Sequence, residues 1–186
     1  MKIGAKVKNT ILSIIAVAGI AVAAPAAQSQ SYNPFQIGAS GGIGFPTSDL
    51  GNSTNTGYNI AVVLGYKPQL LPVSIRGEAA YNQFGFQGGG GSINIPSFTG
   101  NLAYDLPLGT SFTPYAIGGA GLYRPSASIT GGGTSTAENH FGWNIGGGVK
   151  IPLTPSFETF IEARYNSVSV NGGTLSFIPV TVGILF

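Results

Sequence analysis

From residue 35 onward, large apolar residues return at every second position. In Gly57–Tyr66 one face reads Tyr58, Ile60, Val62, Leu64, Tyr66 and the other Gly57, Asn59, Ala61, Val63, Gly65. Phe141–Ile151 sets Phe141, Trp143, Ile145, Gly147, Val149 and Ile151 against Gly142, Asn144, Gly146, Gly148 and Lys150. Phe157–Ser169 sets Phe157, Thr159, Ile161, Ala163 and Tyr165 against Glu158, Phe160, Glu162, Arg164 and Asn166. The closing FIPVTVGILF alternates in the same way. A period of two belongs to strands, whose successive side chains point to opposite faces.

Eight such stretches are predicted: Phe35–Phe45, Gly57–Tyr66, Val73–Phe84, Ser97–Leu106, Pro114–Arg124, Phe141–Ile151, Phe157–Ser169 and Thr174–Phe186. No helical period interrupts them. Their connections alternate in character. PTSDLGNSTNT, QGGGGSINIP, PSASITGGGTSTAENH and VNGG are rich in Gly, Ser and Thr, whereas KPQLLP, PLGTSFT and PLTPS are compact and carry proline. Proline fixes φ and glycine permits positive φ, so both sets punctuate strands. Hairpins in this number predict an all-β fold, an eight-stranded antiparallel up-and-down barrel.

Which face points outward decides the class. A soluble barrel needs a charged exterior. Here the face opposite the bulky one is mostly Gly, Ala, Ser and Asn, which suits a narrow lumen. The strand charges Arg76, Glu78, Asp105, Arg124, Lys150, Glu158, Glu162 and Arg164 are assigned to that small face. Exposing Arg or Lys to the middle of a bilayer would cost about 2–4 kcal/mol. Segments of about ten residues match a tilted membrane strand, and only a closed barrel pairs every strand backbone in lipid. Aromatics gather at strand ends as two girdles would. Tyr66, Tyr104, Tyr115 and Phe157 lie beside the proline turns, and Phe45, Tyr58, Tyr81, Tyr123, Phe141 and Tyr165 towards the glycine-rich loops. The reading is therefore a transmembrane barrel rather than a soluble lipocalin-like binder.

Charge and the N-terminus sharpen this. Charged residues are 8 % of the chain, against roughly 25 % in ordinary soluble domains. Lys2, Lys6 and Lys8 precede the apolar stretch Ile11–Ala24, and Ala24-Pro25-Ala26 is a small-residue exit. That order predicts a cleaved secretory signal over residues 1–26, a short linker over 27–34 and the barrel over 35–186. The net charge of +2 falls to −1 when those three lysines leave, so no nucleic-acid partner is expected. With no cysteine and one histidine, neither disulfides nor a metal site nor another cofactor is expected.

The stretches TPYAIGGAGLYR (113–124), FGWNIGGGVKIPL (141–153), FIEARYNSV (160–168) and FIPVTVGILF (177–186) carry a resemblance. The chain resembles the outer membrane protein beta-barrel domain family, small eight-stranded barrels akin to the OmpA membrane domain and OmpX. The resemblance implies a place in the cell outer membrane among its lipids, with both termini and the proline turns in the periplasm. It implies no single activity, since members serve adhesion, envelope stability or passage of small molecules. It also implies that the last strand, with Val180, Val182, Ile184 and Phe186 on its lipid face, is read by the barrel-assembly machinery during insertion.

Candidate chemistry is sparse. Arg76 and Glu78 on the third stretch, and Glu162 and Arg164 on the seventh, are each two residues apart and share a face. Opposite strands of so narrow a ring bring them together as a lumen charge network, either a structural plug or a gate. Lys150 and Glu158 flank the PLTPS turn and are expected to pair on the periplasmic side. His140 beside Glu138 lacks a placed nucleophile, so catalysis is not expected. GGGG at 88–91 and GGGT at 131–134 lack the Lys and helix of a phosphate loop. The sequence reads as a non-enzymatic envelope protein with a structural or interaction role. The alternatives are passage of small or apolar molecules and, more remotely, a lipid-modifying enzyme.

Overall fold

The computed structural model describes residues 33–108, 111–133, 135, 137–154 and 157–186. The expected signal over residues 1–26, and the linker up to residue 32, lie outside the described residues. The strands are β1 (Phe35–Thr47), β2 (Gly57–Tyr66), β3 (Val73–Gly85), β4 (Gly91–Asp105), β5 (Thr113–Tyr123), β6 (Ser126–Ile129), β7 (His140–Thr154), β8 (Phe157–Val170) and β9 (Gly173–Leu185), with a helix α1 (Ser48–Ser53) after β1. All neighbours are antiparallel, and β1 pairs with both β2 and β9, so the sheet closes on itself.

Nine strands make an eight-stranded barrel because β5 and β6 are one strand interrupted at Arg124-Pro125. Ser97 pairs with Tyr123 and Asn94 with Ser126, so the register against β4 continues unshifted across the break. Proline cannot donate to a ladder, which is why the pairing lapses there. Following partners around the wall leads from Gln36 through Gly65, Arg76, Asn101, Gly119, Asn144, Asn166 and Phe177 to Pro46. The ring thus returns to β1 ten residues further along, a stagger that tilts eight strands by about 40°.

Burial alternates as the period of two requires. Ile60, Val62 and Leu64 on β2 are 53, 54 and 60 % exposed, whereas the intervening Ala61 and Val63 are buried. Two apolar layers fill much of the lumen: Leu50, Phe84, Ile95, Tyr123, Val168 and Phe177 in one, and Val63, Ala103, Tyr115, Ile117, Phe160 and Leu185 in the other. Inward glycines make the slots for inward aromatic rings. A Cβ on Gly183 would lie 2.2 Å from the Phe160 ring, and one on Gly142 would lie 2.7 Å from that of Tyr123. The glycine content is therefore largely a packing requirement of a narrow interior.

The observed elements correct four sequence expectations. A helix was not expected, but α1 is only six residues and too short to show a period; its Leu50 is buried in the first apolar layer. Residues 91–96 and 126–129 were assigned to loops but extend β4 and form β6. There the bulky side turns inward (Ile93, Ile95) and Ser92, Asn94, Ser126 and Ser128 face out, the reverse of the pattern sought. Tyr115 and Tyr123 were assigned to the girdles but are buried inside, because β5 also carries its bulky face inward. Arg124 was placed on the lumen face; it continues the outward face of Leu122 and is exposed.

Candidate functional site in the barrel lumen

Arg76 and Glu78 project inward from β3, and Glu162 and Arg164 from β8. The lumen brings all four together. Arg164 Nη2 donates to both carboxylate oxygens of Glu78 at 2.6 Å, and its Nε lies 2.6 Å from Glu162 Oε1. The other oxygen of Glu162 accepts from Tyr115 OH at 2.6 Å and more loosely from Arg76 Nη1 at 3.4 Å. The charges thus alternate along Glu78–Arg164–Glu162–Arg76 and cancel, as burial demands of ions that water cannot screen. The side chains of Arg76 and Glu162 are each 2 % exposed.

Two local features make this arrangement possible. Gly146 on β7 leaves space for Arg164, whose Cγ would lie 2.7 Å from a Cβ at that position. Arg76 Nε and Nη2 have no protein hydrogen-bond partner among the described residues, but the guanidinium sits 5.0 Å from the Tyr115 ring centre and 5.5 Å from that of Phe160. The negative ring faces attract the cation and offset part of its desolvation.

A layer of asparagines adjoins the charges, and sequence reading did not single it out. Asn59 Nδ2 donates to Asn82 Oδ1 at 2.7 Å, and Asn144 Nδ2 to Asn101 Oδ1 at 2.9 Å. Tyr123 OH donates to Asn166 Oδ1 at 2.9 Å. The available signal was an Asn at an inward position on five strands. Between this layer and the Glu78–Arg164 pair lies a cavity of about 10 Å³, bordered also by Tyr123 and Phe177. That is room for about one water.

The Lys150–Glu158 pair expected from the sequence is not formed. Lys150 Nζ donates to Asp105 Oδ1, and Glu158 Oε1 lies 3.9 Å from Lys67 Nζ. Lys67 in turn lies 3.0 Å from Asp105 Oδ2. The β7–β8 register sets Lys150 opposite Phe160 and Glu158 opposite Pro152, so each charge finds its partner across the mouth instead.

Comparison with known proteins places this geometry. The family model described as outer membrane protein beta-barrel domain matches residues 13–186. The chain belongs to that family. No curated protein sequence matches it. Among solved structures, Neisserial surface protein A is similar with a TM-score of 0.68 at 18 % identity, over 82 % of this chain and 96 % of that one. A major outer membrane protein from Thermus thermophilus is similar at 0.53 and 12 % identity, over 83 % of this chain and 99 % of that one. The attachment invasion locus protein of Yersinia pestis is similar at 0.50 and 18 % identity, over 82 % of this chain and 97 % of that one.

An outer-membrane barrel faces lipid, and this accounts for the outer wall. The charged residues within strands, Arg76, Glu78, Asp105, Lys150, Glu158, Glu162 and Arg164, all occupy inward positions. The outward stripe of the last strand is where the sequence placed it. Val180, Val182 and Phe186 are 39, 56 and 42 % exposed, and Ile184 is half-buried beside them. Phe186 exchanges two backbone hydrogen bonds with Ile37 and packs its ring 5.0 Å from that of Phe157. His140 opens β7 opposite Tyr123 and is half-buried, while Glu138 accepts from Asn171.

Proposed function

We propose that this outer-membrane barrel is a non-enzymatic structural and interaction element of the envelope, with a plugged lumen rather than an open pore. The observation that carries this reading is the Glu78–Arg164–Glu162–Arg76 chain. It spans the interior between two apolar layers, beside a cavity of about 10 Å³. Its partners are the outer-membrane lipids and, during insertion, the barrel-assembly machinery, which on this reading recognises Val180, Val182, Ile184 and Phe186. Reconstitution in planar bilayers tests the plug. The wild type is expected to give no steady conductance, and Arg76→Ala a trace equally closed because the apolar layers remain. Conductance that rises in Arg76→Ala would make the network a gate.

One feature favours passage of small apolar molecules as a second reading. Pairing of β8 with β9 runs to Ala163↔Val180 and resumes at Asn166↔Phe177, leaving Arg164 and Tyr165 unpaired opposite Pro179 and Ile178. Pro179 has no N–H to give, and it borders the lumen cavity. A lateral route into the membrane would open there. Uptake of a small apolar dye into proteoliposomes, lost when a disulfide joins β8 to β9 at this gap, separates this reading from the plug.

A further inference from the structure

The two ends of the barrel differ in a way that the barrel's role does not explain. An even number of strands brings the start of β1 and the end of β9 to one end, with the connections 67–72 and 106–112 and the end of β7. At that end Leu70 is 92 % exposed, Leu108 64 %, Leu153 57 %, Leu71 56 % and Phe112 47 %. The opposite end exposes mainly Asn52, Ser53, Gly88–Gly90, Gly131–Gly133, Asn139 and Asn171, with Ile129 at 61 % the large apolar exception at the loop tips. Exposed apolar side chains gathered in this way mark contact with something other than water.

Three observations identify that contact as lipid. First, the apolar rim is continuous with the lipid-facing wall. Phe112 lies on the outer side of β7 and β8, where it borders an open groove of about 540 Å³ with Gly147, Val149, Ile151, Ile161 and Ala163. A connection whose side chain rests on that wall shares its surroundings. Second, the charges of this end are drawn inward. Lys67, Lys150, Asp105 and Glu158 pair with one another at the mouth and sum to zero, so the outer rim carries none of them. Third, Pro68, Pro72, Pro107, Pro114 and Pro152 remove backbone donors from the rim segments. The donors of Lys67, Asp105 and Leu106 are spent on carbonyls of Pro34, Pro72 and Pro114. These pairings and the missing proline N–H groups lower the cost of burying the described parts of this rim in an interface.

We propose that the terminus-bearing rim is sunk into the headgroup–acyl boundary of the adjoining phospholipid leaflet, with Leu70, Leu71, Leu108, Phe112 and Leu153 as its lipid contacts. The far rim then stands in water, and the barrel rides low at its closing end. This rests on the outer-membrane location alone and is independent of whether the lumen is plugged.

The chain's single tryptophan, Trp143, faces lipid from β7 and supplies an internal depth reference. In a Trp143→Phe background, Leu70→Trp and Leu108→Trp are refolded into phosphatidylcholine vesicles brominated near the headgroup or at mid-chain, with heat-modifiable gel migration as the check on folding. Blue-shifted emission is expected, with stronger quenching by the near-headgroup bromines than by the mid-chain bromines. Red-shifted emission quenched by iodide and untouched by bromolipid overturns the proposal. Shielding from both quenchers that disappears on dilution in lipid also overturns it, in favour of a second copy of the chain covering the rim. Should a tryptophan variant not refold, a nitroxide on Leu71→Cys, the only thiol in a cysteine-free chain, reports the same depth. Greater accessibility to oxygen than to a nickel chelate supports the seat in lipid, and the reverse refutes it.

Discussion

Glu162 holds three groups at once, Arg164, Tyr115 and Arg76, and among the described residues no other side chain of the lumen bridges both arginines. Glu162→Gln leaves Arg76 buried with no counter-ion and is expected to cost about 3–5 kcal/mol of stability. Glu78→Gln should cost less than half as much, because Arg164 keeps its contact with Glu162. Arg76→Met combined with Glu162→Leu should recover much of that loss, since an apolar pair of like volume replaces a desolvated ion pair. It should not recover all of it, because Tyr115 OH and Arg164 Nε lose their acceptor. Urea titration in vesicles followed by Trp143 fluorescence measures all three, and a double variant as weak as Glu162→Gln would refute the account. The four residues were legible as a group because spacing by two puts each pair on one face of its strand. The partner of Lys150 was not, because Lys150 and Asp105 meet across an intervening strand. Only the stagger of the ring brings them level.

Most strand positions were legible, β5 included although its bulky face turns inward, whereas the extensions at 91–96 and 126–129 were not. Residues 91–96 and 126–129 have their apolar side inside because, on the outside, Ser92, Asn94, Ser126 and Ser128 stand above the lipid band. The switch from Phe98 to Asn94 along the outward face of β4 thus marks the membrane boundary. A lysine reads that boundary directly. Leu102→Lys, within the band, is expected to lose about 2–4 kcal/mol, and Ser126→Lys, beyond it, less than about 0.5 kcal/mol. Equal losses in the same urea titration would mean that the β4–β6 extension is itself immersed. Helix α1 was missed because six residues cannot display a helical period, and it is held by one buried side chain, Leu50.

For the whole molecule, class and closure were legible while the contents of the lumen were not, since closure follows from period and strand number but packing follows from register. Biogenesis acts at this scale too. On the proposed reading of the last strand, Phe186→Ala removes a side chain that the insertion machinery recognises and that also packs on Phe157. Outer-membrane yield in cells is then expected to fall more than the stability of the barrel refolded in vitro, and an unchanged yield would argue against recognition.

The ten-residue stagger carries one more consequence. Sliding a single strand pair by one residue would turn a whole face inside out, so the cheapest error available to such a ring is a slip of two. A slip of two changes the stagger to eight or twelve and the barrel diameter by about 1.5 Å. Arg164 and Glu78 meet across the lumen at 2.6 Å. They would be pulled apart in the wider ring and crushed in the narrower one. The buried charges therefore work as a gauge: whatever they add to stability, they fit only one circumference and reject a barrel closed on the wrong notch.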